Sequence, residues 1–219
     1  MSELVNVLSL SAPDIIVPME RKEFYKEQSY VFQETWKPTE AVEVVNIFLF
    51  NLSWQLILQK RSSIKAHNPD LIDKTIGWHI NYGNSPHFTV ILETMQELQI
   101  PSIILDNNED FTKTYDLLKN YTATAAIMKH FWTEIVSIPK TIDGKLVSIA
   151  NKTYLYIWVY AGSVNNIDRE VKGVLFYSLE ELAQELKKFP NIFTNDLRYF
   201  FNKFQDYFEE FKKEFNLKK

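Results

Sequence analysis

The sequence predicts an α/β fold, on three observations. Apolar runs of strand length, rich in Val, Ile, Phe and Tyr, recur at 42–50, 54–59, 124–138 and 152–160. Among and after them come stretches with helical spacing and helix-start residues, from Pro86, from Ser178 and from Thr194. The chain has 219 residues, 46% of them hydrophobic and 15% aromatic, which suits one sizeable domain with terminal additions.

The first 40 residues read as an N-terminal extension packed on that domain. Asp14 to Val17 has the character of a short strand stopped by Pro18, and Arg21 to Gln28 that of a short polar helix. Phe24, Tyr25, Tyr30, Phe32 and Trp36 need cover, which packing supplies; an arm on the substrate side or at a dimer contact is the alternative. Val42 to Phe50 and Trp54 to Gln59 form a hairpin through Asn51, Leu52 and Ser53. Lys60, Arg61 and Lys65 then make a compact basic cluster at a strand end, where a guanidinium can grip phosphate oxygens in bidentate fashion. A solvated loop is the plainer use of the same residues.

The stretch from Gly77 to Ile100 reads as a loop feeding a helix. Ser85 can cap free backbone N–H groups, and Pro86 fits the first helical position. At about 100° per residue, Ile91, Met95 and Leu98 share an apolar seam, while Glu93, Gln96 and Glu97 share the opposite face. Two carboxylates one turn apart, behind a glycine-bearing loop, can hold a hard cation through oxygen. His67, His79 and His87 crowd the same region, but they lack helical pair spacing and the chain has no cysteine, so zinc is rejected.

Asp106 to Asp110 is an acidic turn leading into an amphipathic helix with Phe111, Tyr115 and Leu118 inward. It reads as an insertion whose role, if it has one, is substrate access. The runs at 124–138 and 152–160 flank the Asp143-Gly144 turn and make an antiparallel ribbon with one aromatic face, Tyr154, Tyr156, Trp158 and Tyr160. Such a strip more often covers another layer than stacks on a base. Glu134, in the first strand of the ribbon, is the best acid to supplement the helix carboxylates. Ser178 and Glu181 have the form of a capping box for a helix to Lys188. The last helix repeats Leu197, Phe200, Phe201, Phe204, Phe208, Phe211 and Phe215 at helical spacing, a buried or partner-facing stripe.

A net charge of -4 with scattered Lys and Arg gives no strong nucleic-acid signal. Zero cysteines excludes disulfides, thiolate metal sites and cysteine nucleophiles. No apolar run is long enough to span a bilayer and no charged-then-apolar leader opens the chain, so no membrane association and a cytoplasmic location are expected.

Laid on the sequence without a gap, Gly77, His79 and Gly83 match the loop, and Glu93, Glu97, Leu98 and Ile100 the helix, of the Nudix box. The stretch thus resembles G-x5-E-x7-R-E-U-x-x-E-E-x-G-U, the signature of hydrolases that split diphosphates linked to another group. Trp78, Asn84, Leu92, Gln96 and Gln99 replace a glycine, a glutamate, the arginine, a glutamate and the closing glycine, so the box is degenerate. Leu56 to Ser62, with Lys65, Pro69 and Asp73, resembles the lead-in of the branch related to isopentenyl diphosphate isomerase. Asp168-Arg169-Glu170-Val171 running on to Leu182, and Phe193 to Arg198, resemble later family elements, so the likeness covers residues 44–204.

The resemblance implies an α/β/α sandwich with a mixed central sheet over 41–204, preceded by the extension at 1–40 and followed by a C-terminal helix extension at 205–219. It implies water attack on a phosphoanhydride, with magnesium or manganese held by the Gly77 carbonyl, Glu93, Gln96 and Glu97. Glu93, Glu97 and Glu134 are the catalytic candidates, and Lys60, Arg61, Lys65 and His79 the phosphate-side candidates, for a small-molecule diphosphate. The isomerases use a catalytic cysteine, which this chain lacks. Carboxylates missing at positions 84 and 96 should weaken cation binding. Three readings follow: a diphosphohydrolase, a Nudix-fold binding or regulatory module without turnover, and an interaction protein working through its aromatic C-terminal helix, with a homodimer allowed.

Overall fold

The sheet is assembled around β3 (Glu40–Phe50), whose side chains are almost all buried. The computed structural model describes residues 3–65, 67–162 and 171–216. Along one edge β3 runs parallel to β9 (Lys145–Val159) for its whole length. Along the other it takes three antiparallel partners in turn: β1 (Leu4–Ser9), β6 (Ile76–His79) and β4 (Leu56–Arg61). Beyond β9 lie β8 (Ala126–Ile142), antiparallel, and β7 (Ser102–Leu105), parallel to β8. β10 (Val171–Tyr177) closes the far edge against β4, which also carries the two-residue β5 (Ile72–Asp73). The sheet is therefore mixed, as expected.

Helices cover both faces. On one, α5 (Asn195–Asn216) lays Phe208 on Phe48 at 5.1 Å between ring centroids and Phe204 on Trp132 at 5.0 Å. On the other, α2 (Pro86–Leu98) brings His87 to within 5.9 Å of the Tyr156 ring. α1 (Arg21–Thr35) packs against β9, α3 (Asn108–Leu118) against β8, and α4 (Leu179–Lys188) against α5 and β10. The capping signals hold: Phe88 N donates to Ser85 Oγ at 3.1 Å, and Ser178 and Glu181 form a complete capping box.

Three sequence expectations change in extent. β2 (Ala12–Glu20) is not stopped by Pro18 but runs through it, since a strand paired on one side only, with β1, tolerates a residue lacking a donor. α1 continues seven residues past Gln28, to Thr35. The acidic turn is shorter than expected, because Asn107 caps α3 and the acids Glu109 and Asp110 form its first turn. The element around Asp168, Arg169 and Glu170 lies outside the described residues.

The aromatic stripe of α5 is core. Leu197, Phe200, Phe201, Phe208, Phe211 and Phe215 are each no more than 3% exposed, and the helix passes Phe204 without a break. An interaction surface built on that stripe is overturned by its own packing. Among the described residues no helix is long and apolar enough to cross a membrane.

Candidate functional site

α2 buries part of its acid-bearing face. Glu93 is 3% exposed and packs with Thr89, Val90 and Thr94, while Ile91 and Met95 are 38% and 45% exposed. At Ile91 and Met95 the expected apolar seam thus meets solvent, while Glu93 is turned inward. Turning an acid inward at the expense of apolar burial runs against the hydrophobic effect, and such reversals mark sites kept for chemistry. Glu97, half-buried one turn on, accepts a hydrogen bond from Gln59 Nε2 of β4 at 3.1 Å. Gln96 sits at the exposed margin of this face rather than within it.

Gly77 lies on β6 opposite Asn46 of β3, with an exposed backbone. α2 packs on both of those strands, so the carboxylate face and the glycine strand are neighbours. A Cβ at Gly77 would stand 2.7 Å from Cε and 2.9 Å from Nζ of Lys74. Lys74 is 4% exposed and cannot swing aside, because its ammonium pairs with Asp73 at 3.3 Å and Asp196 at 3.5 Å. Replacing Gly77 by alanine is expected to lower stability by about 1–3 kcal/mol through overpacking, read from urea midpoints at unchanged slope.

Below the loop, Asp73 gathers a buried ion network. It accepts from Arg61 Nη1 at 3.1 Å, from Thr194 Oγ1 at 2.8 Å and from the Lys74 backbone at 2.9 Å. Burial alone would raise its carboxyl pKa; Lys74 and Arg61 beside it hold the carboxyl below the ordinary aspartate value. Arg61, expected on phosphate, spends its other donors on the His67 carbonyl, at 2.8 Å from Nη2, and the Asn68 carbonyl, at 3.2 Å from Nε. It clamps the loop after β4. Lys65 lies 5.7 Å from the Trp78 ring centroid, and Lys60 sits half-buried on β4 beside β10 and β5.

Glu134 belongs elsewhere. It is exposed on β8 and pairs with Lys203 of α5 at 2.9 Å, on the sheet face away from α2. The cause is a bulge between His130 and Trp132, which shifts the alternation by one: Thr133, not Glu134, follows His130 onto the α2 side. The same bulge assembles a polar cluster with no sequence signal. His130 Nε2 is 2.8 Å from Thr133 Oγ1, while His130 Nδ1 and His87 Nε2 approach one oxygen of Asp106 at 3.1 and 3.0 Å.

His79 is tied to the N-terminal extension. Its Nε2 accepts from the Tyr25 hydroxyl at 2.7 Å, and that hydroxyl accepts from Lys140 Nζ of β8 at 3.1 Å. The His67 ring lies 5.5 Å from the Tyr25 ring. Burial lowers the pKa of both imidazoles, with Arg21 and Lys140 adding repulsion, and His79 falls well below its ordinary value. An unfolded chain takes up protons on both near the ordinary value of 6.5, so the stabilisation is present above that pH and is lost as pH falls below it. Thermal unfolding at pH 7.5 and 5.5, with His67→Gln as comparison, should show a drop at the lower pH that the variant reduces.

Sequence reasoning missed Arg21, Tyr25, Lys74, Lys140, His130 and Asp106. They come from α1, β8 and two loops, which no sequence motif joins.

No family model matches the chain, and no curated protein matches it. Solved structures do. DR0079 from Deinococcus radiodurans aligns with a TM-score of 0.61 at 15% identity, over 92% of this chain and 98% of that one. A Nudix hydrolase from Alicyclobacillus acidocaldarius aligns with a TM-score of 0.47 at 9% identity, over 74% and 90% of the two chains. The Nudix domain of Shewanella oneidensis NrtR, solved with ADP ribose, aligns with a TM-score of 0.47 at 12% identity, over 81% and 96%. Likeness at these identities is one of fold alone, and the DR0079 alignment carries it.

Proposed function

We propose that the chain is a Nudix-type hydrolase that cleaves a diphosphate linkage with a divalent cation, magnesium or manganese. The observation that carries this reading is the acid-bearing face of α2, which buries Glu93 and ties Glu97 to Gln59 of β4. Two carboxylates and an exposed backbone carbonyl are a fitting set for magnesium, which takes one or two protein carboxylates and completes its shell with water and substrate phosphates. A cation held there neutralises charge on the diphosphate and lowers the pKa of bound water.

The residues then divide the work. Glu93, Glu97 and the Gly77 carbonyl would hold the cation. Glu93, shielded from bulk water, takes the proton as the water oxygen bonds to phosphorus and the bridging P–O bond breaks toward the departing phosphate. Gln96 supplies no charge from its exposed margin, and Glu134 is excluded by its pairing with Lys203. Turnover is therefore slow for a hydrolase of this kind.

A panel of nucleoside-diphosphate-linked and prenyl diphosphates, assayed for product with added magnesium, tests the reading. Glu97→Gln should lower kcat about 100-fold for any substrate turned over, the several kcal/mol a metal site supplies. No turnover by the intact chain on any member would sink it. A second reading, a binding module of the same fold, draws on one observation: among the described residues no three His, Asp or Glu side chains are placed to share a metal ion. Metal-dependent binding without product is its outcome.

A further inference from the structure

We propose a second catalytic site, for hydrolysis of small carboxylic esters, in which Thr133 is the nucleophile, His130 its base and Asp106 the group that orients the base. It shares no residue with the candidate cation site and stands apart from the diphosphate reading. The three side chains form one chain of hydrogen bonds. Asp106 follows β7 and lies beside β8, because the parallel pairing of the two strands runs to Leu105 and Lys129. Its Oδ1 is 3.1 Å from His130 Nδ1, and His130 Nε2 is 2.8 Å from Thr133 Oγ1. A carboxylate can only accept, so Nδ1 carries the ring proton and Nε2 presents its lone pair to the Thr133 hydroxyl. That is the tautomer a base needs, and both separations lie in the range across which a proton is taken. His87 Nε2, from the first turn of α2, reaches the same Asp106 oxygen at 3.0 Å and steadies the carboxylate from the other side.

Regular strand geometry would keep these groups apart. Residues three apart on a strand point to opposite faces, and only the bulge between His130 and Trp132 sets Thr133 on the face of His130. Nor are the bonds needed to satisfy buried atoms. The Asp106 side chain is 64% exposed and that of His130 22%, and Thr133 is half-buried, so water can serve each of them. The same exposure lets an ester reach the hydroxyl. Beneath the imidazole the surroundings are dry: the Tyr156 ring, wholly buried, lies 5.1 Å from the His130 ring, and among the described residues its hydroxyl has no hydrogen-bond partner. Burial and the Asp106 charge raise the pKa of that phenol, so it keeps its proton and leaves one unmet donor beside the base for an entering molecule.

The reaction closes on these groups and water. As the Thr133 oxygen bonds to the ester carbonyl carbon, its proton passes to His130 Nε2. The C–O bond to the alcohol then breaks, and His130 gives that proton to the departing alkoxide. Water attacks the acyl-threonine and yields a proton to the same nitrogen; the acid leaves as the Thr133 oxygen takes the proton back. The sum is ester plus water to acid plus alcohol.

Hydrolysis of p-nitrophenyl acetate by the full chain, in EDTA so that the cation site plays no part, is the test. The intact chain should release p-nitrophenolate faster than an equal concentration of free imidazole. Thr133→Val and His130→Gln should each lower kcat about 100-fold, the scale of a positioned base, while Thr133→Ser keeps most of the rate. Asp106→Asn should lower kcat at unchanged KM, as befits a positioning residue that sets the tautomer of the base. Acid quenching within the first turnover should leave an acetyl group on Thr133, read by mass spectrometry of its peptide, and this measurement on the intact chain decides if a variant does not fold. Release no faster than with imidazole, equal rates in the intact chain and Thr133→Val, or acetylation confined to other residues would overturn the site.

Discussion

Replacing Asp73 by alanine should cost about 3–5 kcal/mol of stability, the range for removing one member of a buried ion pair. The carboxylate is 8% exposed and holds Arg61, Lys74 and Thr194 together. Its loss strands the Lys74 ammonium, itself 4% exposed, with only Asp196 at 3.5 Å, and it removes the acceptor on which Arg61 is aligned. In a chain of this length the loss corresponds to a fall in Tm of roughly 6–20 °C. Thr194→Val, which removes one neutral donor from the same carboxylate, should cost only about 1 kcal/mol. Calorimetric Tm values for the two variants measure the difference directly, and equal effects would show that charge pairing does not hold this loop. Since Lys74 lies just before β6, which carries Gly77 and Trp78, the network also fixes where the candidate cation site can form.

A chain ended after Phe204 should not fold. The cut removes Phe208, Phe211 and Phe215, which are 0%, 3% and 1% exposed and lie against Phe48, Phe50, Trp54, Phe111 and Tyr115. Each phenylalanine lost from a core costs about 3–5 kcal/mol, and three together cost about 9–15 kcal/mol, as much as the roughly 5–15 kcal/mol that holds a whole domain folded. Near-ultraviolet circular dichroism of the truncated chain should lack fixed aromatic signals. Retention of those signals, with a change only in association state, would restore the helix as a partner-facing surface.

The strands were legible because period-two alternation and β-branched runs survive without context: 42–50 became β3 and 152–160 the second half of β9. Cap chemistry is equally local, so Ser85, Ser178 and Glu181 were read correctly. The stripe on α5 was legible as a stripe, but its spacing cannot say whether it meets a sheet or a second chain.

The exposure of Ile91 and Met95 was not legible, because a helical wheel ranks faces by apolar content alone. Glu134 was misplaced for a different reason. It was chosen as an acid in the ribbon strand, and the unpaired residue at the bulge between His130 and Trp132, which sets the face it takes, has no local signal. Arg61 was recognised as important, but its donors serve the His67 and Asn68 carbonyls and Asp73. His67 and His79 were read as neighbours, but their meeting with Tyr25 and Lys140 had no signal, since α1, the loop after β4 and β8 come together only in the folded chain.

The acid-bearing face of α2 is the claim on which the functional account stands, and a crystal grown with manganese and pyrophosphate examines it at atomic level. Anomalous density should place the ion about 2.0–2.2 Å from carboxylate oxygens of both Glu93 and Glu97 and from the Gly77 carbonyl. Manganese seated where it touches neither carboxylate, with both side chains left as they stand here, would contradict the account.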